Sequence, residues 1–233
     1  MCGIVGVVGN SNAVDILIQG LEKLEYRGYD SAGIYVTDAP DKGCLVKSVG
    51  RIADLRAKIS SDVKGSTGIG HTRWATHGQA TEDNAHPHTS ETGRFVLVHN
   101  GVIENYLQIK EEYLQGHKFK GQTDTEIAVH LIGKFVDEDG LSVLEALKKS
   151  LHIIQGSYAF ALVDSQAPDT IYVAKNKSPL LIGVGEGYNM VCSDAMAMIR
   201  ETSQFMEIHD KELVVLTKDA ITVTDYEGNA IER

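Results

Sequence analysis

Cysteine is scarce in this chain. Its 233 residues include three, at positions 2, 44 and 192, an odd number with no C-x-x-C pair. That argues against a disulfide framework or a zinc knuckle and fits a reducing compartment, the cytoplasm. Positive charge is also in short supply. The 22 Lys and Arg face 32 Asp and Glu, for a net charge of −10, which speaks against nucleic acid or an anionic membrane as partner. No apolar run reaches membrane-spanning length. The N-terminus has no basic region, and its apolar stretch is short and broken by glycine, so it does not read as a signal peptide. Linkers, repeats and low-complexity segments are missing as well, which leaves one domain over residues 1–233 as the simplest organisation.

What is present is an ordinary globular composition, 42% hydrophobic and 23% charged, enough for a substantial core. Residues 3–9 read as a short buried strand. Val14, Leu17, Leu21 and Leu24 then recur at 3-4-3 spacing, which predicts a helix from about Ala13, with Asn12 as N-cap and Gly28 as a left-handed stop. Strands are expected at 31–37 and 44–49 around a PDKG turn, a helix at 52–60 and a strand at 67–73. The stretch 74–93, rich in His, Thr, Asn and Gly, lacks periodicity and reads as a long ordered loop, often a functional element. A strand at 94–99 should end at the HNG turn. Helices follow at about 104–114, 124–136 and 142–151, the second opened by a Thr123-x-x-Glu126 capping box. After Gly156 the pattern is nearly all strand: 157–164, 170–175, 180–185, 189–193, 205–208, 212–217 and 221–225, with one helical stretch at 194–200. Hairpin-length connections imply antiparallel pairing. Strand-rich ends around a group of helices indicate an α+β fold, in which antiparallel sheets bury one face on each other and the other under helices.

Cys2 is the first residue that could do chemistry. A free Cys is most often a small buried hydrophobe. Yet removal of Met1 would put a thiol, with an ordinary pKa of about 8.5, on the same carbon as an α-amine of about 7.7–8.0, a nucleophile and its base in one residue. Cys44 and Cys192 sit inside strand patterns and read as packing. In HTRWATHG (71–78), Arg73 offers a planar fork suited to a carboxylate. Trp74, the only tryptophan, and the donors and acceptors of Thr76 and His77 share the same loop; the alternative is an exposed Arg and a packed Trp. Asn100-Gly101 is either a turn or a side-chain amide beside a backbone N–H, the two donors of an oxyanion hole. Asp124 is either a helix-start acid favoured by the dipole or the carboxylate that receives a ligand ammonium. Thr125 and Glu126 look like helix-start chemistry. His71, His77, His86 and His88 could suggest a metal, but their spacing matches no zinc signature. GVGEG (183–187) lies between strands with no helix after it, so a hairpin turn is expected rather than a nucleotide loop. Asp137-Glu138-Asp139 reads as a solvated helix end.

Taken together and in this order, MCGIVG, LEYRGYDSAGI (24–34), GHTRWATHG (70–78), NAHPH (84–88), VHNGVIEN (98–105) and TDTE (123–126) resemble the glutaminase domains of the glutamine–fructose-6-phosphate aminotransferases. These enzymes make glucosamine 6-phosphate and belong to the N-terminal-nucleophile (class II) glutamine amidotransferases. MCGI alone is common to the broader class; RGYDSAG with TRWATHG points to the amino-sugar branch. The resemblance implies a four-layer αββα sandwich, an order of layers that periodicity does not reveal. It also implies roles. Cys2 attacks the carboxamide of L-glutamine and forms a γ-glutamyl thioester, its own amine acting as base through a water. Asn100 and the Gly101 N–H hold the oxyanion, Arg73 the substrate carboxylate, and Asp124 the ammonium together with the Gly101 carbonyl. Thr76 and His77 line the pocket, Trp74 lies in a lid, Arg27 and Gly28 pack at the nucleophile end and order its amine, and His86 sits on a neighbouring loop. No cofactor and no metal are implied. Gln122 departs from the family, where an acidic residue commonly precedes TDTE. The expected partner is a sugar-phosphate isomerase half with the fructose 6-phosphate site, which lies beyond this chain; without it the domain releases glutamate and ammonia.

Three other readings remain open on these residues: a glutamine-sensing binding module without turnover, a metal-binding β-rich domain that uses the histidines, and the glutaminase half of another amidotransferase.

Overall fold

A computed structural model describes residues 1–75 and 78–233. The elements run β1 Gly3–Val8, α1 Ala13–Leu24, β2 Ser31–Thr37, β3 Cys44–Val49, α2 Ile52–Lys58, β4 Thr67–Arg73, β5 His88–Thr89, β6 Phe95–Ile103, α3 Tyr106–Tyr113, α4 Asp124–Asp137 and α5 Val143–Ile153. Seven strands complete the chain: β7 Gly156–Asp164, β8 Ile171–Asn176, β9 Leu181–Val184, β10 Asn189–Cys192, β11 Gln204–Glu207, β12 Glu212–Leu216 and β13 Ile221–Asp225. They form two antiparallel sheets, ordered β11-β9-β10-β1-β4-β2-β3 and β13-β12-β8-β7-β6-β5.

The period-2 alternation of the strands builds the layers. In β1, Val5 and Val7 face α1 and α2, while Ile4 and Val8 face the second sheet. In β6 and β7 the sets Phe95, Leu97, Phe160 and Leu162 pack under α4 and α5; Val96, Val98, Ala159, Ala161 and Val163 pack between the sheets. Three apolar cores therefore separate four layers, helix–sheet–sheet–helix. The α+β class expected from element order and the αββα order implied by the resemblance are both present.

The expected strands and helices occur within a few residues of their predicted bounds, with informative exceptions. β6 does not stop at HNG. It continues to Ile103, with Asn100 opposite Ala159 and Gly101 opposite Tyr158. Asn-Gly makes a hairpin turn only when the partner strand comes next in the chain; here the partner is β7, three helices later. Residues 194–200 contain only a short 3₁₀ turn at Ala195–Ala197. Asn12 occupies the N-cap position without a side-chain capping bond. Thr123 accepts from the Glu126 N–H, but Glu126 sends its carboxylate to the Lys120 and Gly121 N–H groups instead of back to Thr123. The helix end before Gly28 is a 3₁₀ turn, Glu25–Arg27, and Gly28 takes φ +142, ψ +150 rather than the left-handed helical shape. The 183–187 segment ends β9 and enters the 185–188 hairpin connection to β10, so a hairpin occurs there as expected. Among the described residues no helix is long and apolar enough to cross a membrane.

Candidate active site

Sheet register brings the site together. β1 and β4 pair antiparallel with Gly3 opposite Thr72, and β4 pairs with β2 with Ser31 opposite Arg73. Cys2, Arg73, Trp74 and Asp30 therefore meet where three strands end. The second sheet adds Asn100 and Gly101 from β6, and the N-terminus of α4 adds Asp124.

Cys2 is half-buried, and its Sγ accepts the Trp74 N–H at 3.3 Å. Burial pushes the thiol pKa up; the Trp74 N–H, the N-terminal ammonium and Arg73 oppose this, and Asp30 adds to it. The thiol is thus the resting form at neutral pH, and attack requires a base. The ammonium of Met1 donates to the Arg27 carbonyl at 2.5 Å. Arg27 also pairs its guanidinium with Asp194 at 3.7 Å, so its backbone serves the N-terminus while its side chain anchors elsewhere.

Asn100 Nδ2 donates to the Cys2 carbonyl at 3.1 Å. Its orientation is set by His71, whose Nε2 lies 2.9 Å from Asn100 Oδ1 and 3.1 Å from the His99 carbonyl. Two acceptors on one ring nitrogen require the Nε2–H tautomer, which leaves Nδ1 a bare acceptor. Burial lowers the His71 pKa to about 3, so the ring is a neutral donor. His86 stacks on His71 with centroids 4.0 Å apart and accepts the His99 N–H; His88 packs edge-on to it at 4.8 Å. Burial likewise depresses the pKa of His86, His88 and His99. Three of the histidines that might have suggested a metal, His71, His86 and His88, thus make a neutral, packed floor.

Arg73 is 4% exposed and lies 3.5 Å from Asp30, with a second bond to the Gln79 carbonyl. Asp30 in turn accepts from the Ser31 hydroxyl at 2.7 Å and from the Ala75 N–H. Asp124 Oδ2 accepts the Ile103 N–H at 2.8 Å, and His99 is held by Thr125 at 2.8 Å. Gly101 stands at φ +123, where a Cβ would come within 2.2 Å of the Ser157 carbonyl oxygen.

One cavity of about 300 Å³ is lined by Cys2, Arg73, Trp74, His86, Gly101, Gln122 and Asp124. It joins a thiol, a buried cation, a carboxylate and a backbone donor, the set needed to hold a small zwitterion beside a nucleophile. A larger cleft of about 490 Å³ near Arg94 lacks that set, and its guanidinium is already forked onto Asp164 at 2.9 Å through both Nε and Nη2. Thr76 and His77, expected to line the pocket, lie outside the described residues. Sequence reading missed His99 and Asp30, and considered His71 only as a metal ligand. The available signal was alternation: His71 shares a strand face with Arg73, and His99 shares one with Gly101.

Trp74 is 53% exposed and covers Gly28, where a Cβ would sit 2.6 Å from the indole ring. Gly28→Ala is therefore expected to cost about 1–3 kcal/mol through backbone strain and displacement of the indole. Urea denaturation measures it; an unchanged midpoint would show that Trp74 moves aside without loss.

Comparison with known proteins follows the same line. A family model described as a glutamine amidotransferase domain matches residues 71–201, more than half of the chain. Glutamine–fructose-6-phosphate aminotransferases (isomerizing) of Streptococcus pyogenes serotype M1 and of Streptococcus mutans serotype c are 83% and 82% identical over all 233 residues. The chain spans 38% of the length of each of these relatives. Among solved structures, a glutamine phosphoribosylpyrophosphate amidotransferase from B. subtilis, complexed with ADP and GMP, superimposes with a TM-score of 0.84 at 29% identity. That match covers 98% of this chain and 50% of the other.

Proposed function

The chain belongs to the glutamine amidotransferases, and from that membership we propose that residues 1–233 act as one domain that hydrolyses L-glutamine to glutamate and ammonia through a thioester on Cys2. The observation that carries the reading is the cavity shared by Cys2, Arg73, Gly101 and Asp124. A free amino acid needs one cation for its carboxylate and one anion for its ammonium; Arg73 and Asp124 supply them. Its side-chain amide is then directed toward Sγ.

Removal of Met1 is part of the proposal. With Met1 attached, the Cys2 nitrogen is an amide and has no basic lone pair. Once freed, the α-amine takes the thiol proton, and the sulfur attacks the carboxamide carbon. The oxyanion accepts from Asn100 Nδ2 and the Gly101 N–H. Collapse returns the proton to the leaving nitrogen, ammonia departs, and a water activated by the same amine cleaves the thioester to glutamate. Arg27, whose carbonyl accepts the Met1 ammonium in the unprocessed chain, is assigned to orient the Cys2 amine once Met1 is gone. Trp74 and the segment after it are assigned to cover the site and exclude water.

Within a longer protein, the ammonia would pass to fructose 6-phosphate on an isomerase domain to form glucosamine 6-phosphate, the reaction implied by the names of the streptococcal relatives. A free-thiol nucleophile suits a reducing compartment, so we place the chain in the cytoplasm.

Intact mass before and after treatment with a diazo-ketone analogue of glutamine tests the proposal. The expected result is loss of one methionine and a single adduct on Cys2. A retained Met1 with no adduct would instead mean a binding domain without turnover or an unprocessed precursor, and would overturn the proposal for the chain as made.

A further inference from the structure

Beside α4, the helix that Asp124 opens, three side chains from separate segments converge. His130 lies in the middle of α4, His117 in the connection between α3 and α4, and Glu91 in the loop ahead of β6. His117 Nδ1 and His130 Nδ1 are 3.1 Å apart, and Glu91 Oε2 lies 3.6 Å from the first and 3.5 Å from the second. We propose that Glu91, His117 and His130 bind a divalent transition-metal ion, with Zn²⁺ as the type ion, and so fasten the α3–α4 connection to α4 and to the 91 loop.

The geometry carries the proposal. Four ligands at about 2.0–2.1 Å around a tetrahedral zinc ion stand about 3.3 Å from one another, close to all three separations here. A hydrogen bond between the two imidazoles would explain the 3.1 Å contact alone. It would not explain a carboxylate oxygen almost equidistant from the same two nitrogens.

The surroundings also suit a metal. His117 Nε2 lies 3.0 Å from Glu138 Oε1. A proton on Nε2 makes that bond and turns the Nδ1 lone pair toward His130 and Glu91. This is the carboxylate–histidine arrangement that orients metal-binding imidazoles. Glu91 Oε2 is held by the Lys118 N–H at 2.9 Å. Phe119 packs against His130 at 4.6 Å and walls one side. Two imidazoles and one carboxylate suit zinc, cobalt or nickel better than calcium or magnesium. Three protein ligands leave a fourth position for water.

The ion would act on structure. Glu126, one turn ahead of His130, already holds the Lys120 and Gly121 N–H groups. A metal at His117 would secure the rest of the connection that leads into Gln122, Thr123 and Asp124.

The test uses Co²⁺ as a spectroscopic probe on the 233-residue chain, with zinc competition. The wild type is expected to bind one cobalt ion with tetrahedral visible bands, no thiolate charge-transfer band, and displacement by one equivalent of zinc. Cys2→Ala should retain all of this. Outer-shell partners alone are worth about 10–100-fold in metal affinity, so His117→Ala and Glu91→Gln should each weaken binding at least that much. Glu91 is exposed, so Glu91→Gln decides the matter if His117→Ala fails to fold by circular dichroism. Binding unchanged in Glu91→Gln, a thiolate band abolished by Cys2→Ala, or no cobalt uptake at millimolar metal would each overturn the proposal.

Discussion

Cys2→Ala is expected to reduce glutamate release from L-glutamine by at least about a thousandfold, because it removes the only atom assigned to form the covalent intermediate. The fold should survive. Cys2 is half-buried and precedes β1, and among the described residues its Sγ hydrogen-bonds only with the backbone of Trp74. Thermal melting of the variant should therefore match the parent, while the glutamate assay falls to background and the diazo-ketone adduct disappears. Cys2→Ser separates nucleophile from shape: it keeps a hydroxyl at the same place but loses the thiolate, and should remain near the alanine level. Parental turnover by the alanine variant would remove Cys2 from the mechanism.

Asp124→Asn is the second large effect. The substitution keeps the acceptor for the Ile103 N–H, bonded at 2.8 Å to Oδ2, and keeps side-chain volume, but removes the charge assigned to the substrate ammonium. A half-buried, charge-assisted contact of this kind is worth about 2–3 kcal/mol, or roughly 30- to 150-fold in kcat/KM. The loss should fall mainly on KM, since the ammonium is remote from the reacting amide and is held alike in the ground and transition states. Substrate choice gives the sharper control. Glutaramate, glutamine without its α-amino group, should be processed at the same rate by parent and variant. Equal losses on both substrates would mean that Asp124 supports the loop and does not read the ammonium.

Much of this site could be read from the chain in one dimension. Cys2, Arg73, Gly101 and Asp124 were each singled out from a short motif, and all four line one cavity. The reason is local: each sits where a strand or helix begins, ends or carries a residue suited to one kind of chemistry. The same local logic misled at Asn100-Gly101. There a turn signal belongs to a strand whose partner, β7, comes only after three helices. It also misled at Glu126, where a capping-box residue bonds to the preceding loop.

His71, Asp30 and His99 were out of reach of that logic. His71 matters because its Nε2–H faces the Asn100 amide, 29 residues away and in the other sheet. Asp30 matters because β2 ends beside Arg73. Glu91, His117 and His130 follow no metal-binding spacing, since the three belong to different segments brought together only by packing on α4.

By itself, then, the amino-acid sequence determined the alternation that builds two antiparallel sheets under helices, the thiol at position 2, and the residue types able to grip an amino acid. Those depend on period, on composition and on neighbours along the chain. The tertiary structure alone decided which of these residues face one another, the tautomer of His71, the neutral histidine floor, and the convergence on α4. Distances and burial across sheets are set by register and layer packing, and neither is encoded within any single stretch of the chain.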